Sequence, residues 1–271
     1  MKEKILHTLS LLENCHDCKV ILASENGSRA WGYSSSDSDY DVKGVFIRNN
    51  IYDYSKLFKN RDVIEYKKDD IDICLWDISK YLTLLERGNA HTYEISYSPH
   101  QYISDIDLSA FTKTELKYNL KNVAYHYYGL AYKTFRQHTV NTGETTIKKY
   151  LYMIRPLLAV KYILEYEELP LLVLDDLYKK MPEKCLPFVI KDILWNDILK
   201  KKLNGTLKNK QKQSYPVLDT FIDNELNQIK EILAGQSVLT NTTDCMTRRN
   251  TIEQYFYDRI KHLHQYSPVR Q

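Results

Sequence analysis

Three aspartates and one Gly-Ser pair carry the chemistry this chain could perform. Asp39 and Asp41 stand one residue apart in Asp39-Tyr40-Asp41-Val42. On an extended backbone, residues i and i+2 share a face, so the two carboxylates project side by side. Such neighbours repel, and a divalent cation removes the repulsion. Asp37 shares their parity, but it lies in the Ser-rich run Ser34-Ser35-Ser36-Asp37-Ser38, which predicts a turn that it caps. Asp72 is an acid between aliphatic residues in Ile71-Asp72-Ile73, and a charge on a buried strand needs a partner. It is the expected third carboxylate, with Glu65 in Ile64-Glu65-Tyr66 as its competitor, while Asp77 reads as a helix N-cap. Upstream of Asp39, Gly27-Ser28 supplies small residues that let backbone N–H groups approach an anion at a helix start. Together these are devices for handling a phosphate chain and a metal.

The elements around them must then be strands joined by tight turns. Lys19 to Ala23 reads as a buried strand that Gly27-Ser28 closes, and Val42 to Ile47 reads as the next, entered through the aspartates. Val63–Tyr66 and Ile71–Leu75 follow as two strands around the polar turn Lys67-Lys68-Asp69-Asp70. Ile5, Leu6, Leu9 and Leu12 space out one face of an opening helix, and Ile78, Tyr81, Leu82 and Leu85 do so for a later one that stops at Gly88. Ile51 to Asn60 reads as an irregular connection. From about residue 106 the period becomes helical, through Val123-Tyr127-Leu130, Tyr150-Ile154-Leu157-Leu158 with Pro156 as a kink, and Phe221-Ile222-Leu226-Ile229-Leu233. The expected fold is α+β: a mixed sheet with helices over residues 1–105, then a mostly α-helical domain over 106–271. Near Ile252-Phe256-Ile260 the tail hints at one more helix.

Composition narrows the classes. The 271 residues are 43% hydrophobic and 27% charged, with 8 Gly and 7 Pro, which excludes collagen-like and low-complexity chains. A net charge of +3 is mild for a coat of duplex DNA, so nucleic-acid contact is expected to be local. Lys200-Lys201-Lys202 with Lys208, Lys210 and Lys212 offers either a solvated loop or an RNA-backbone contact, and Arg248, Arg249, Arg259, Lys261 and Arg270 add a basic tail. The 23 Tyr against 7 Phe suit partly buried surfaces and base stacking alike. No apolar run reaches the roughly 18–20 residues of a membrane span, and the N-terminus lacks a signal-like apolar region, so a cytoplasmic protein is expected. Five Cys, an odd count, fit free thiols better than a disulfide framework, and Cys15-His16-Asp17-Cys18 has no second ligand pair to complete a zinc site.

These residues carry a resemblance. Gly27-Ser28, ten intervening residues and then Asp39-Tyr40-Asp41-Val42 resemble the signature of the DNA polymerase beta-type nucleotidyltransferase superfamily. The longer string Ala23-Ser24-Glu25-Asn26-Gly27-Ser28-Arg29-Ala30-Trp31-Gly32, continued by Arg61–Tyr66, Ile71–Lys80 and Lys148–Ala159, is similar to the predicted nucleotidyltransferase family associated with RNA repair. The likeness spans most of residues 20–235. Asn26 stands where that family often has Ser, and Ala90–Glu94 replaces a more apolar version of its segment.

The resemblance implies transfer of a nucleoside monophosphate from an NTP to an acceptor hydroxyl, with pyrophosphate released. It assigns Gly27 and Ser28 to the triphosphate and Asp39, Asp41 and Asp72 to Mg²⁺ or Mn²⁺. Arg29, Lys149 and Arg155 are expected to neutralise the phosphate chain. An RNA or tRNA 3′ end is the favoured acceptor; a protein hydroxyl or a small molecule would use the same three acids. A non-catalytic nucleotide-binding or interaction module would share the fold. Trp31 and Trp76 read as core residues before base-stacking ones.

Overall fold

The computed structural model describes residues 1–55, 61–140, 145–204, 212–235, 239 and 245–261. Helix α1 (Lys2–His16) leads into strand β1 (Cys18–Asn26), which runs directly into a single helical turn, α2 (Gly27–Ala30). Strand β2 (Tyr40–Arg48) follows, then β3 (Val63–Lys68) and β4 (Ile71–Asp77), helices α3 (Ile78–Glu86) and α4 (Ala90–Tyr97), strand β5 (Gln101–Ser104) and the short α5 (Ile106–Ala110). The five strands form one sheet in the order β3-β4-β2-β1-β5. β2 and β4 run parallel, and every other pair is antiparallel. This mixed topology brings the starts of β2 and β4 to the same end of the sheet.

Alternation along β2 explains its two faces. Val42 and Phe46 pack with Ile5, Leu9 and Leu12 of α1, whereas Val45 and Ile47 enter a second core with Ile78, Tyr81 and Leu82. Asp41 shares the parity of Val45 and Ile47, so that face begins acidic and ends apolar. Asp77 caps α3 as the sequence predicts: its Oδ1 accepts from Ser79 N (2.8 Å) and Ser79 Oγ (2.6 Å). Gly88 ends the helix with φ of +73°.

The remaining helices are α6 (Leu120–Phe135), α7 (Ile147–Tyr166), α8 (Leu174–Lys180), α9 (Phe188–Asp192), α10 (Lys200–Leu203), α11 (Pro216–Ala234) and α12 (Cys245–Lys261), with a two-residue strand pair at Thr145–Thr146 and Lys212–Gln213. Between α9 and α10 the chain stays helical as a wider π turn over Ile193–Leu199. Pro156 lies inside α7, flanked by buried Ile154, Leu157 and Leu158. The fold is thus α+β, a mixed five-stranded sheet with helices together with a mostly helical part.

The chain divides into two compact units, and the division falls elsewhere than the composition shift at 105. The first unit holds Met1–Ala30, Asp39–Tyr118 and Thr242–Gln271; the second holds Trp31–Ser38 and Asn119–Asn241. Residues beyond 105 return to the first unit because its core needs them. Leu108, Phe111 and Leu116 are buried there together with Ile252 and Ile260 of α12, and Phe111 stacks on Tyr255 with ring centroids 4.0 Å apart. Arg259 fastens α12 with ion pairs of 2.8 Å to both Asp105 and Asp107. The Ile252-Phe256-Ile260 stretch, which offered only a hint of periodicity, is therefore part of a core helix. Lys208, Lys210, Arg270 and the 56–60 part of the irregular connection lie outside the described residues.

Candidate active site

Register, more than any single residue, builds the acidic rim of the first unit. In the parallel pairing of β2 with β4, Asp41 stands opposite Asp72. Paired residues on neighbouring strands point to the same face, so these carboxylates are lateral neighbours. Asp39 lies immediately before β2 and is exposed. Glu65 pairs with Cys74, one side-chain step further along that face than Asp72, which pairs with Lys67. The register therefore sets Asp72, and not Glu65, beside Asp41.

Gly27 gives Asp41 its place. The residue has φ of +62°, in the left-handed region that glycine occupies without strain. A Cβ there would lie 2.2 Å from Asp41 Oδ2, so the carboxylate rests in space that only glycine leaves open. Asn26 supports the turn, its Oδ1 accepting from Gly27 N at 2.9 Å. Ser28 is buried, and its neighbour Arg29 reaches back to β2. The Arg29 Nε donates to the Asp39 carbonyl at 3.1 Å, and its guanidinium lies 3.7 Å from the centre of the Tyr40 ring. Gly27 is thereby brought against Asp41 and Arg29 against Asp39, with Ser28 between them in the chain.

Two residues of this neighbourhood escaped the sequence reading. Glu25 is 2% exposed; its Oε1 accepts from the Asp41 backbone N–H at 3.0 Å, and its Oε2 accepts a short hydrogen bond from the Tyr102 hydroxyl. Burial raises its carboxyl above the usual glutamate value, although both hydrogen bonds pull the other way. The signal was present, since Glu25 is an acid at the end of the buried run Val20–Ser24, the same argument that singled out Asp72. Lys67, assigned to a turn by its composition, is instead the penultimate residue of β3. Its Nζ sits 2.5 Å from Asp72 Oδ2.

That ion pair bears on whether the acids suit a metal. Among the described residues, no group of three His, Cys, Asp or Glu side chains converges closely enough to hold an ion. Asp41 and Asp72 are neighbours by register and Asp39 precedes β2, without the three forming a closed ligand cluster, and Asp72 is turned to an ammonium. The donor chemistry nevertheless fits a hard divalent cation: oxygen ligands on adjacent strands, with the Gly27 gap beside one of them. A positive charge is already drawn there, because the hydrogen bond and charge of Asp72, followed by Asp39 and Asp41, raise the Lys67 ammonium above its ordinary value.

The basic residues assigned to the phosphate chain in the helical half are placed differently from one another. Lys149 is half-buried in the first turn of α7, its backbone N–H donating to the Thr146 cap. Arg155, expected to face a triphosphate, is 3% exposed, with its guanidinium 4.2 Å from the centre of the Trp31 ring and Nε donating to the Leu172 carbonyl at 3.3 Å. Within its unit the guanidinium is held by aromatic faces and a carbonyl, which is the chemistry of a packed arginine. Trp31 packs edge-on to Tyr152 and beside Tyr33, as a core residue does. In the lysine run, Lys202 donates to Ser35 Oγ at 2.7 Å and Ser38 Oγ at 3.2 Å, and Lys201 pairs with Asp197.

A Gly-Ser turn leaving one strand, and alternate acids opening the next across a mixed sheet, define the polymerase-beta type of nucleotidyltransferase domain. The chain belongs to the RNA repair pathway DNA polymerase beta family (RlaP), whose pattern it matches over residues 1–258. The match includes α1 and most of α12, beyond the 20–235 stretch in which motifs alone were visible. An uncharacterized protein of Bacillus subtilis strain 168, YcgL, is 30% identical over 277 aligned positions, covering 95% of this chain and 99% of that protein. Among solved structures, a nucleotidyltransferase-like protein from Exiguobacterium sibiricum 255-15 is similar at 12% identity, with a TM-score of 0.31 over 97% of this chain and 80% of its own. No helix among the described residues is long and apolar enough to cross a membrane.

Proposed function

We propose that this protein is an Mg²⁺-dependent nucleotidyltransferase that moves a nucleoside monophosphate from an NTP to an acceptor hydroxyl and releases pyrophosphate. The observation that carries this reading is the pairing of Asp41 with Asp72 across parallel strands, next to a Gly27 turn whose missing side chain leaves the Asp41 carboxylate its room. Asp39, Asp41 and Asp72 would hold Mg²⁺ or Mn²⁺, which when bound supplies charge neutralisation for the phosphates and a more acidic acceptor hydroxyl. Asp72, on the strand beside Asp41, would accept the proton of that hydroxyl. Gly27 and Ser28 present backbone to the triphosphate, and the Arg29 guanidinium on Tyr40 contributes positive charge to the same turn. Glu25 holds the Asp41 backbone through its N–H and is a positioning residue. Lys149 is assigned to the phosphate chain; Arg155 is assigned to holding Trp31, from which the chain returns through Ser35 and Ser38 to Asp39.

RNA is the acceptor we favour, because the family to which the chain belongs is named for an RNA repair pathway. The lysine run supports a local contact of this kind, with Lys200 exposed beside the engaged Lys201 and Lys202. Pyrophosphate release measured with each NTP in turn, Mg²⁺ or Mn²⁺ and total cellular RNA tests the reading. Release that requires both RNA and a divalent ion is expected. Release of none with any NTP would favour a module that only binds nucleotide.

A further inference from the structure

We propose that Lys67 is a built-in counter-cation for the acidic rim, occupying electrostatically the position that the divalent ion must take over. The inference rests on the metal-binding reading above and concerns a residue which that reading does not use. Asp41 and Asp72 lie side by side on one face of a parallel pair, where like charges disfavour each other. Lys67 is fixed opposite Asp72 by the β3–β4 register, and its Nζ closes on Asp72 Oδ2 at 2.5 Å. Its neighbour Lys68 has the opposite strand parity and pairs with Ile71, so its side chain leaves from the other face. The arrangement is thus particular to one lysine of an adjacent pair.

The pair is also suited to being opened. Lys67 is 73% exposed at its side chain and Asp72 40%, and ion pairs that remain in water contribute little to stability. A divalent cation offers the same carboxylates more charge in a smaller volume, so it can displace the ammonium without unfolding any element. Lys67 then swings into solvent on a flexible stem. Before metal arrives the lysine neutralises the rim; afterwards it is a competitor that has lost. Metal affinity is therefore weaker than the three carboxylates alone would give, and the protein responds over a higher range of free divalent ion.

The test is direct binding of Mn²⁺, without NTP, to the full chain, read by electron paramagnetic resonance of the free ion. Lys67→Met should bind Mn²⁺ more tightly by about threefold to tenfold, the effect of one unit charge a few ångströms away in a wet site. That gain should shrink as KCl is raised, since exposed charges are screened. Lys68→Met removes the same net charge and should change affinity by less than about twofold. If Lys67→Met is poorly folded, Lys67→Gln makes the same measurement. Unchanged or weaker Mn²⁺ binding in the Lys67 variants would overturn the proposal, as would an equal gain from Lys68→Met, which would make the effect one of net charge. Failure of the wild-type chain and the variants alike to bind Mn²⁺ would remove the metal-binding reading itself, and this inference with it.

Discussion

The acidic rim of the sheet and the basic residues of α7 were both expected to touch the same nucleotide, yet the fold treats them in opposite ways. Asp39, Asp41 and Asp72 stay partly or fully open to solvent; register sets Asp41 beside Asp72, and Asp39 lies immediately before β2. Lys149 and Arg155 lie six positions apart on one helix, about 240° around its axis at 100° per residue. They end in different surroundings: Lys149 is half-buried, and Arg155 is held against Trp31. A strand has only two faces, so pairing decides which acids meet. A helix has a continuum of directions, and a cation on it can as readily support packing as face a ligand. Acids that sheet register sets side by side should therefore answer to activity, and an arginine packed as Arg155 is to stability.

The largest expected effect breaks the tie between the two candidate third carboxylates. Asp72→Asn should lower nucleotidyl transfer at least about a hundredfold, because a metal-ligating charge supplies several kcal/mol to the transition state at tenfold per 1.36 kcal/mol. Glu65→Gln, measured in the same assay, should change it less than about threefold. Next comes Gly27→Ala, which must put a methyl group 2.2 Å from Asp41 Oδ2 at a φ of +62°. The backbone alone costs about 1–2 kcal/mol, and the displaced carboxylate should remove most of the activity that survives. Urea denaturation and initial rates on one preparation separate these two losses.

Arg155→Met sharpens the contrast from the other side. It leaves the Leu172 carbonyl and the Trp31 face without their partner and should destabilise the chain by about 2–3 kcal/mol. Mn²⁺ affinity of the folded variant should be unchanged; a loss of metal affinity without a loss of stability would contradict the division drawn here. The smallest effect belongs to Glu25→Gln. Burial raises the Glu25 carboxyl above 4.5, so the folded chain holds that proton more tightly than the unfolded one. The resulting stabilisation is full below about 4.5 and is lost as pH rises through the folded value. Relative to Glu25→Gln, the wild type should thus gain stability as pH is lowered from 7 towards 4.5, a trend that urea midpoints at several pH values would show.

Much of the fold was legible because alternation and turn chemistry agree in the first unit. Lys19–Ala23, Val42–Ile47, Val63–Tyr66 and Ile71–Leu75 all fall within strands, and Asp77 caps the helix that follows. What the linear sequence did not show was partnership over distance. Nothing local to Ile252-Phe256-Ile260 reveals that they complete a core with Tyr81 and Phe111, so α12 read as a loose tail. Lys67 looked like a turn residue because Lys67-Lys68-Asp69-Asp70 is polar throughout, whereas the reversal needs only Asp69, at φ of +54°, and Asp70. Glu25 carries a local signal of burial but none of its role, which lies in accepting from the Asp41 backbone N–H across the sheet. Among the acids themselves, spacing named the neighbours, and register ordered them.

The most direct test of the central claim is to incubate the protein with α-labelled NTPs, Mg²⁺ or Mn²⁺ and a mixture of cellular RNA and protein, beside the Asp41→Asn variant. Label on RNA, pyrophosphate released in equal amount, and at least about a hundredfold less of both in the variant are expected. Label on protein would move the acceptor and leave the chemistry intact. Full transfer by Asp41→Asn, or none by the wild type with any NTP, would contradict the account.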